Sequence, residues 1–417
     1  MSRGHVLVIG AGIVGACCAI EARREGWEVT ILEPGAPGGT QAASYGNGGW
    51  FSPASVVPMS MPGLWRKVPG FLADPLGPLT IRWASLPSLL PWLWRFLRAG
   101  SSVAQVEAKA RQINALIADS PDRHLALARE AGVEQLIQRA GLLYPFPTRA
   151  AFEAEALAWR LRAQNGVRWT ELNEDELRQT EPALARRYRF AVRVEGGANC
   201  RDPGGYVAAL VEYAKRLGVA RITGQALDFV IENARLKGVQ TSAGLIACDR
   251  AVIAAGIASA RLAALVGDRV PLASERGYHV QITHPEADQR LPMMPSDGKM
   301  ATTQMQAGLR NAGQVELASV EATPNWQRAD VLLAHLQSAY PLMAGDIAPE
   351  RISRWMGHRP ATPDSLPVIG RSRATPDVIH AFGHGHIGLA TAPITARFVA
   401  DILAGKPAPP DYAATRF

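Results

Sequence analysis

Three glycines set between two short apolar runs constrain this chain more than any other feature. Val6, Leu7, Val8 and Ile9 form a continuous apolar run suited to a strand buried on both faces, and Gly10, Gly12 and Gly15 follow it as G-x-G-x-x-G. A second apolar run, 29–32, ends at Glu33, the offset at which an acidic residue meets a ribose. Gly10 permits the tight turn, Gly12 lets backbone approach a pyrophosphate, and Gly15 allows a helix to pack close on its strand. The N–H groups of the helix start, beginning near Ile13, then face phosphate along the favourable end of the helix dipole. Glu33, with Pro34 after it, favours an unphosphorylated ribose, as in NAD or FAD, over NADP.

The 417 residues, 47% hydrophobic and 19% charged, are ordinary for a globular protein and allow two or three domains, woven together by insertion. The chain opens directly into a strand with no apolar leader, so a cytoplasmic location is expected. Cys17, Cys18, Cys200 and Cys248 have neither metal-ligand nor C-x-x-C spacing and read as small buried hydrophobes in a reducing compartment. The net charge of +7 comes from 44 basic and 37 acidic residues, and the arginines are scattered. A generic positive field is therefore expected, with no nucleic-acid partner.

Residues 34–53 form a long glycine-rich segment, read as a loop built around a ligand. Residues 56–100 are rich in Pro and Trp and cannot be one regular helix. Helical patterns follow at 103–118, 122–131 and 150–162, forming a helical cap. A second βα unit starts with a strand at 190–194 and a helix at about 204–217, which Asp202 caps and Gly218 ends. Runs at 227–231, 236–241, 244–247 and 251–255 read as a meander returning to the main sheet, ending at Ala255 and Gly256. Strands are expected at 278–282 and 314–318, a helix at 331–340, and a strand at 378–382 before a glycine-rich turn and a helix at 394–403.

Four blocks in this order resemble the D-amino-acid oxidase-like superfamily of FAD proteins, and within it the bacterial D-amino acid dehydrogenases, over nearly the whole chain. They are the opening glycine unit with Glu33, SYGNGG at 44–49, DRAVIAAG at 249–256, and GHRPATPDSLPVIG at 357–370 with GHGHIGLATAP at 383–393. The resemblance implies an α/β fold: a Rossmann-like FAD-binding domain interwoven with an α+β substrate domain on a mostly antiparallel sheet. Residues 1–85, 190–265 and 346–417 are assigned to the first, 86–189 and 266–345 to the second. It also places Ser44, Asn47, Gly48, Ala255, Gly256, Gly357, Gly385, His386, Gly388, Leu389 and Ala390 on the flavin. Since 44–49 holds neither His nor Cys, the FAD is expected to be non-covalent.

Hydride transfer from a substrate Cα to flavin N5 needs positioning above all, and an arginine gripping the substrate carboxylate bidentately is the natural device. Arg359, in G-H-R-P-A-T-P, matches the family's carboxylate-binding arginine; the alternative is an arginine tying a loop. Arg310 resembles a family residue facing the substrate, or pairs with Glu316. Tyr278 either donates its hydroxyl to the carboxylate or is a half-buried sheet tyrosine. His384 and His386 lack a third ligand nearby, so no metal is expected; one of them tunes the flavin or caps a helix.

The resulting expectation is oxidation of a D-amino acid, cyclic secondary amines such as D-proline or hydroxyproline included, to the imino acid, with electrons passed to a quinone or other non-oxygen acceptor. The apolar, aromatic, basic-edged stretch 86–98 suits either peripheral contact with the inner face of an anionic membrane, or packing as a cap or dimer contact. Competing readings are a sarcosine- or glycine-oxidase-like enzyme using O2, a tRNA-modifying flavoprotein, and an electron-relay subunit.

Overall fold

A computed structural model describes residues 3–74 and 76–417. The apolar run after the N-terminus becomes the strand His5–Ile9 at the centre of a six-stranded sheet, ordered 220–223, 28–33, 5–9, 250–253, 378–382 and 368–371. All neighbours are parallel except the last edge strand. Burial on both faces explains why the run does not alternate. Val6 and Val8 pack beneath the helices Ile13–Arg24, Pro203–Arg216 and Gly388–Leu403, while Leu7 and Ile9 pack under the meander 226–247 on the opposite side. The four cysteines are buried within these two cores, and burial pushes the Cys200 and Cys248 thiols up to about 12.

The second sheet is antiparallel, ordered 301–305, 308–317, 273–282 and 352–361, with Leu79–Ile81 added in parallel against 308–317. Its central strand, Ala273–Ile282, is buried along all ten residues. This pairing draws 352–361 and 79–81, placed by sequence in the flavin domain, into the substrate-side sheet. Likewise the strand Phe190–Val194 opens no βα unit of the main sheet. It pairs with Leu142–Phe146 and Trp169–Leu172 over an aromatic core of Tyr144, Phe146, Phe152 and Trp159.

The expected helices are present as Val103–Ile117, which starts with a Ser102–Gln105 capping box, and Ser120–Ala131, but they pack against the helices Pro203–Arg216 and Gly388–Leu403 in the core of the main sheet and form no separate cap. The expected helix 150–162 is split into Arg149–Glu153 and Ala156–Gln164. The Pro- and Trp-rich segment yields short turns, the six-residue helix Val68–Ala73, the strand Leu79–Ile81 and then the 14-residue helix Leu86–Ala99, which carries Pro87 in its first turn and Pro91 inside it. Among the described residues no helix is long and apolar enough to cross a membrane.

Candidate active site

Gly10 has φ 110°, and a Cβ there would lie 2.4 Å from the Ala254 carbonyl oxygen. A Cβ at Gly15 would lie 1.9 Å from the oxygen of Gly10, so only glycine lets the first helix sit this close to the turn. Above Gly12 a Cβ would meet only Ser44 Oγ, at 3.6 Å, which leaves an open cradle over the turn. Glu33 accepts from the Ala11 N–H at 2.8 Å and the Gly35 N–H at 3.2 Å, fixing its carboxylate beside that cradle with Pro34 at its flank. Ser44 Oγ accepts from the Ile13 N–H at 3.1 Å, so the 44–49 loop is tied to the helix start.

The rest of that loop lies on the antiparallel sheet. Arg310 Nη1 donates to the carbonyls of Tyr45 and Asn47, both at 2.9 Å, and its Nε donates to Gln281. Asn47 Oδ1 accepts from the Gly49 N–H and Thr303 donates to the Gly48 carbonyl. His279 bonds to the Gly46 carbonyl and stacks on Trp355. The Trp355 ring crosses Gly46 and Gly357, where a Cβ would come within 1.9 and 2.1 Å of it. Burial, with the Arg310 charge second, pulls His279 down to about 3, so the ring is neutral; burial likewise lowers Arg310 to about 10. Arg310 therefore fastens the loop and does not take its expected alternative partner, Glu316.

Ala255 and Gly256 close the strand 250–253 beside Gly10, with Gly256 at φ 57°. Gly385, at φ 54°, and His386 form the short turn Gly385–Ile387 that launches the helix Gly388–Leu403. That helix begins six residues before the expected 394. Its first turn is held from outside: the Leu389 carbonyl bonds to His124, and the Ala390 carbonyl accepts from Ser120. His384 bonds to Thr395, and burial lowers its ring to about 3.

Alternation along 273–282 sorts the remaining candidates. Glu275, Gly277, His279 and Gln281 face the loop side; Arg276, Tyr278 and Val280 face the helix Gln327–Ala339. Arg359, opposite Glu275 in register, donates through Nη1 to Glu275 Oε1 at 3.0 Å and to the Gln314 carbonyl at 3.1 Å. Its guanidinium lies over Gly277, where a Cβ would come within 2.3 Å of Nη2. Tyr278 is not brought to Arg359. Its hydroxyl donates to Glu316 Oε2 at 2.6 Å, accepts from the Asn325 N–H, and is buried on the opposite face.

Two cavities meet at Glu275. One runs between Met59, Trp92, Phe96 and the turn 383–387; the other is lined by Leu64, Phe71, Leu79, Leu93 and Leu317. Trp92 and Phe96 stack at 4.9 Å as a shared wall, and Trp92 donates to the Ala361 carbonyl. The helix Leu86–Ala99 thus caps the site with one face, while Leu90 and Trp94 on it, with Trp65 and Trp83 nearby, are more than half exposed. Sequence reasoning missed Glu275, Gly277 and the two wall aromatics. Extending the predicted strand 278–282 back to 273 would have placed Glu275 and Gly277 opposite Tyr278.

A Rossmann-type sheet with an open glycine cradle, joined to an antiparallel sheet that presents an arginine beside an apolar cavity, defines a flavin-dependent oxidoreductase architecture. The family model for FAD-dependent oxidoreductases (DAO) matches residues 5–402, and the chain belongs to that family. It is an FAD-dependent oxidoreductase acting on amino acids. It is 52% identical over 402 residues to a D-amino-acid oxidase of Bradyrhizobium diazoefficiens, covering 96% of this chain and 95% of that one. It is 30% identical to a D-amino acid dehydrogenase of Paramagnetospirillum magneticum, covering 96% and 95%. Glycine oxidase from Geobacillus kaustophilus shares the fold at a TM-score of 0.73 and 20% identity, with each chain covered completely.

Proposed function

We propose that the chain oxidises D-amino acids with apolar side chains to imino acids, which water then hydrolyses to the keto acid and ammonia. One observation carries this reading: the Arg359 guanidinium rests over Gly277 and bonds to Glu275, whose side chain lines both cavities, one walled by carbon and one of mixed polarity. Arg359 takes the substrate carboxylate and the cavities take the side chain, so that burial of apolar surface contributes to affinity. The names of the relatives at 52% and 30% identity support the D configuration.

FAD supplies the hydride acceptor. Gly10, Gly12, Ile13, Gly15 and Glu33 would hold its diphosphate and ribose; Ser44, Asn47, Gly48, Ala255, Gly256, Gly357 and the turn from Gly385 through Ala390 would hold the rest. We take the attachment to be non-covalent, since loop 44–49 holds neither His nor Cys. Arg310 and His279 keep the loop in place and touch no substrate. The helix start at Gly388–Ala390 turns its N–H groups toward developing negative charge.

Oxygen is the acceptor we assign, on the strength of the relative named an oxidase. A quinone is the second reading, favoured by the exposed Trp65, Trp83 and Trp94, two of them under arginines (Arg66 over Trp65, Arg98 over Trp94). From residue 34 to 106 the only acidic residue is Asp74, so this surface suits an anionic bilayer. An anaerobic panel of D- and L-amino acids, read by loss of oxidised-flavin absorbance, tests the substrate. Bleaching by L-forms or N-methylglycine alone would refute the D assignment, and admitting air, then a soluble quinone, separates the acceptors.

A further inference from the structure

We propose that Glu275 is the seat of the substrate's α-ammonium group, so that Glu275 and Arg359 together form a two-headed receptor for a zwitterion. The inference rests on the amino acid reading above and assigns a second polar contact within it.

The geometry of the pair carries the argument. Both hydrogen bonds of Arg359 leave through Nη1. Among the described residues its Nε and Nη2 make none, and the side chain is 22% exposed, so one edge of the planar fork is left to take a carboxylate bidentately. Glu275 mirrors this. Its Oε1 accepts from Arg359, its Oε2 has no partner among the described residues, and its side chain is only 7% exposed. It is also the only acidic or basic side chain, histidines apart, among the described residues that line either cavity.

Glu275 lines both cavities, and its oxygen without a protein donor is open to a cationic ligand group there. A bound monocarboxylate lacking the amine would bring a second negative charge next to Glu275. An amino acid brings an ammonium with it, and the two ion pairs then run antiparallel. Contacts to an ammonium and a carboxylate from two fixed groups also define where the Cα points, which positions its hydrogen to leave as hydride once the nitrogen has given up a proton and its electron pair is free to form the C=N bond. The role is positioning and selection: Glu275 admits amino acids and rejects plain acids.

The test compares wild type with Glu275→Gln and Glu275→Asp, each purified with FAD, using three ligands of one carbon skeleton: D-leucine, 4-methylpentanoate (no amine) and 3-methylbutylamine (no carboxylate). Binding is read by perturbation of the flavin spectrum, which needs no turnover, and KM and kcat are measured separately. Glu275→Gln is expected to weaken D-leucine and the amine by about tenfold or more, the scale of one charge-assisted bond, and to tighten 4-methylpentanoate. The rise falls mainly on KM, and Glu275→Asp recovers part of it. A structural role confined to steadying Arg359 would weaken D-leucine and 4-methylpentanoate together, and that result, or unchanged amine binding, overturns the proposal. Failure of wild type to be reduced by D-leucine, with amine binding still dependent on Glu275, would instead refute the functional reading.

Discussion

The two faces of the strand Ala273–Ile282 use the same chemistry to opposite ends. On the helix side, Glu316 accepts from Arg82 Nε at 2.6 Å and Tyr278 at 2.6 Å, and pairs with Arg276 at 3.3 Å and Arg328 at 3.9 Å. Arg276 and Arg328 are fully buried and donate through their terminal nitrogens to the carbonyls of Gly77, Ala322 and Thr323 and to the Gln314 side chain. Both oxygens of that carboxylate are engaged. On the loop side, Glu275 and Arg359 share one hydrogen bond and keep one oxygen and one guanidinium edge unspent. A closed cluster fixes structure; an open pair is available to a ligand. The faces are linked at Gln314, a residue at φ 61° where the register between 273–282 and 308–317 slips. Its carbonyl turns to Arg359 and its side chain to Arg328, so a bulge re-aims one residue to serve both sets.

This contrast is broken most severely at Glu316. Glu316→Gln leaves two buried guanidinium groups with no anion, and an expected loss of about 3–5 kcal/mol follows, read from urea unfolding, while folded molecules keep their substrate affinity. If the urea midpoint hardly moves, the cluster is not a closed structural unit. Arg359→Lys tests the other face. It keeps the charge and loses the fork, so kcat/KM should fall about tenfold to a hundredfold with little change in unfolding. Gly277→Ala acts on the same group from beneath, since its Cβ would lie 2.3 Å from Arg359 Nη2. We expect a loss of about tenfold in kcat/KM with FAD content preserved; unchanged kinetics would show that the guanidinium does not need that floor.

How much of this was legible follows from the kind of signal each part carries. The opening strand, turn and helix are local, and G-x-G-x-x-G with Glu33 is held together by bonds spanning about two dozen residues of chain, such as Ala11 to Glu33. Arg359 was legible through its surrounding motif. The face on which a side chain lies was not, because Tyr278 and Glu275 are sorted by the strand Ala273–Ile282, which is buried along both faces and so carries no polar–apolar alternation to tell them apart. Arg310 and Glu316 stand six residues apart on one strand, but the slip at Gln314 lies between them, so Arg310 reaches the loop while Glu316 joins the helix-side cluster. The domain edges were blurred for a related reason: 352–361 follows a stretch assigned by its neighbours, yet it belongs to the sheet of its partner strand. The helix Leu86–Ala99 hid its cavity face because the prolines of 56–100 argued against one regular helix and left no register to follow, although Pro87 falls where a first turn tolerates it.

The smaller effects sharpen the comparison. Tyr278→Phe removes one hydrogen bond from Glu316 and an acceptor from the Asn325 N–H, an expected cost of about 1–2 kcal/mol in unfolding. Activity should stay within about twofold, because a residue on the closed face does not meet the substrate. A large fall in kcat/KM at unchanged stability would move Tyr278 back among the substrate-binding groups.

The acid limb of stability offers the finest test. Burial pushes the Glu316 carboxyl up, but bonds from Tyr278 and Arg82 and the charges of Arg82 and Arg328 outweigh it and hold it below the ordinary 4.5. A carboxyl depressed in the folded state stabilises at pH values above its unfolded pKa, and that stabilisation is lost as pH falls through the folded one. The gap in urea midpoint between wild type and Glu316→Gln should therefore be full at neutral pH, begin to close below about 4.5, and shrink further with acid. A gap that stays constant across that range would mean the glutamine costs packing rather than charge, and the closed face would then be held by its carbonyl bonds alone.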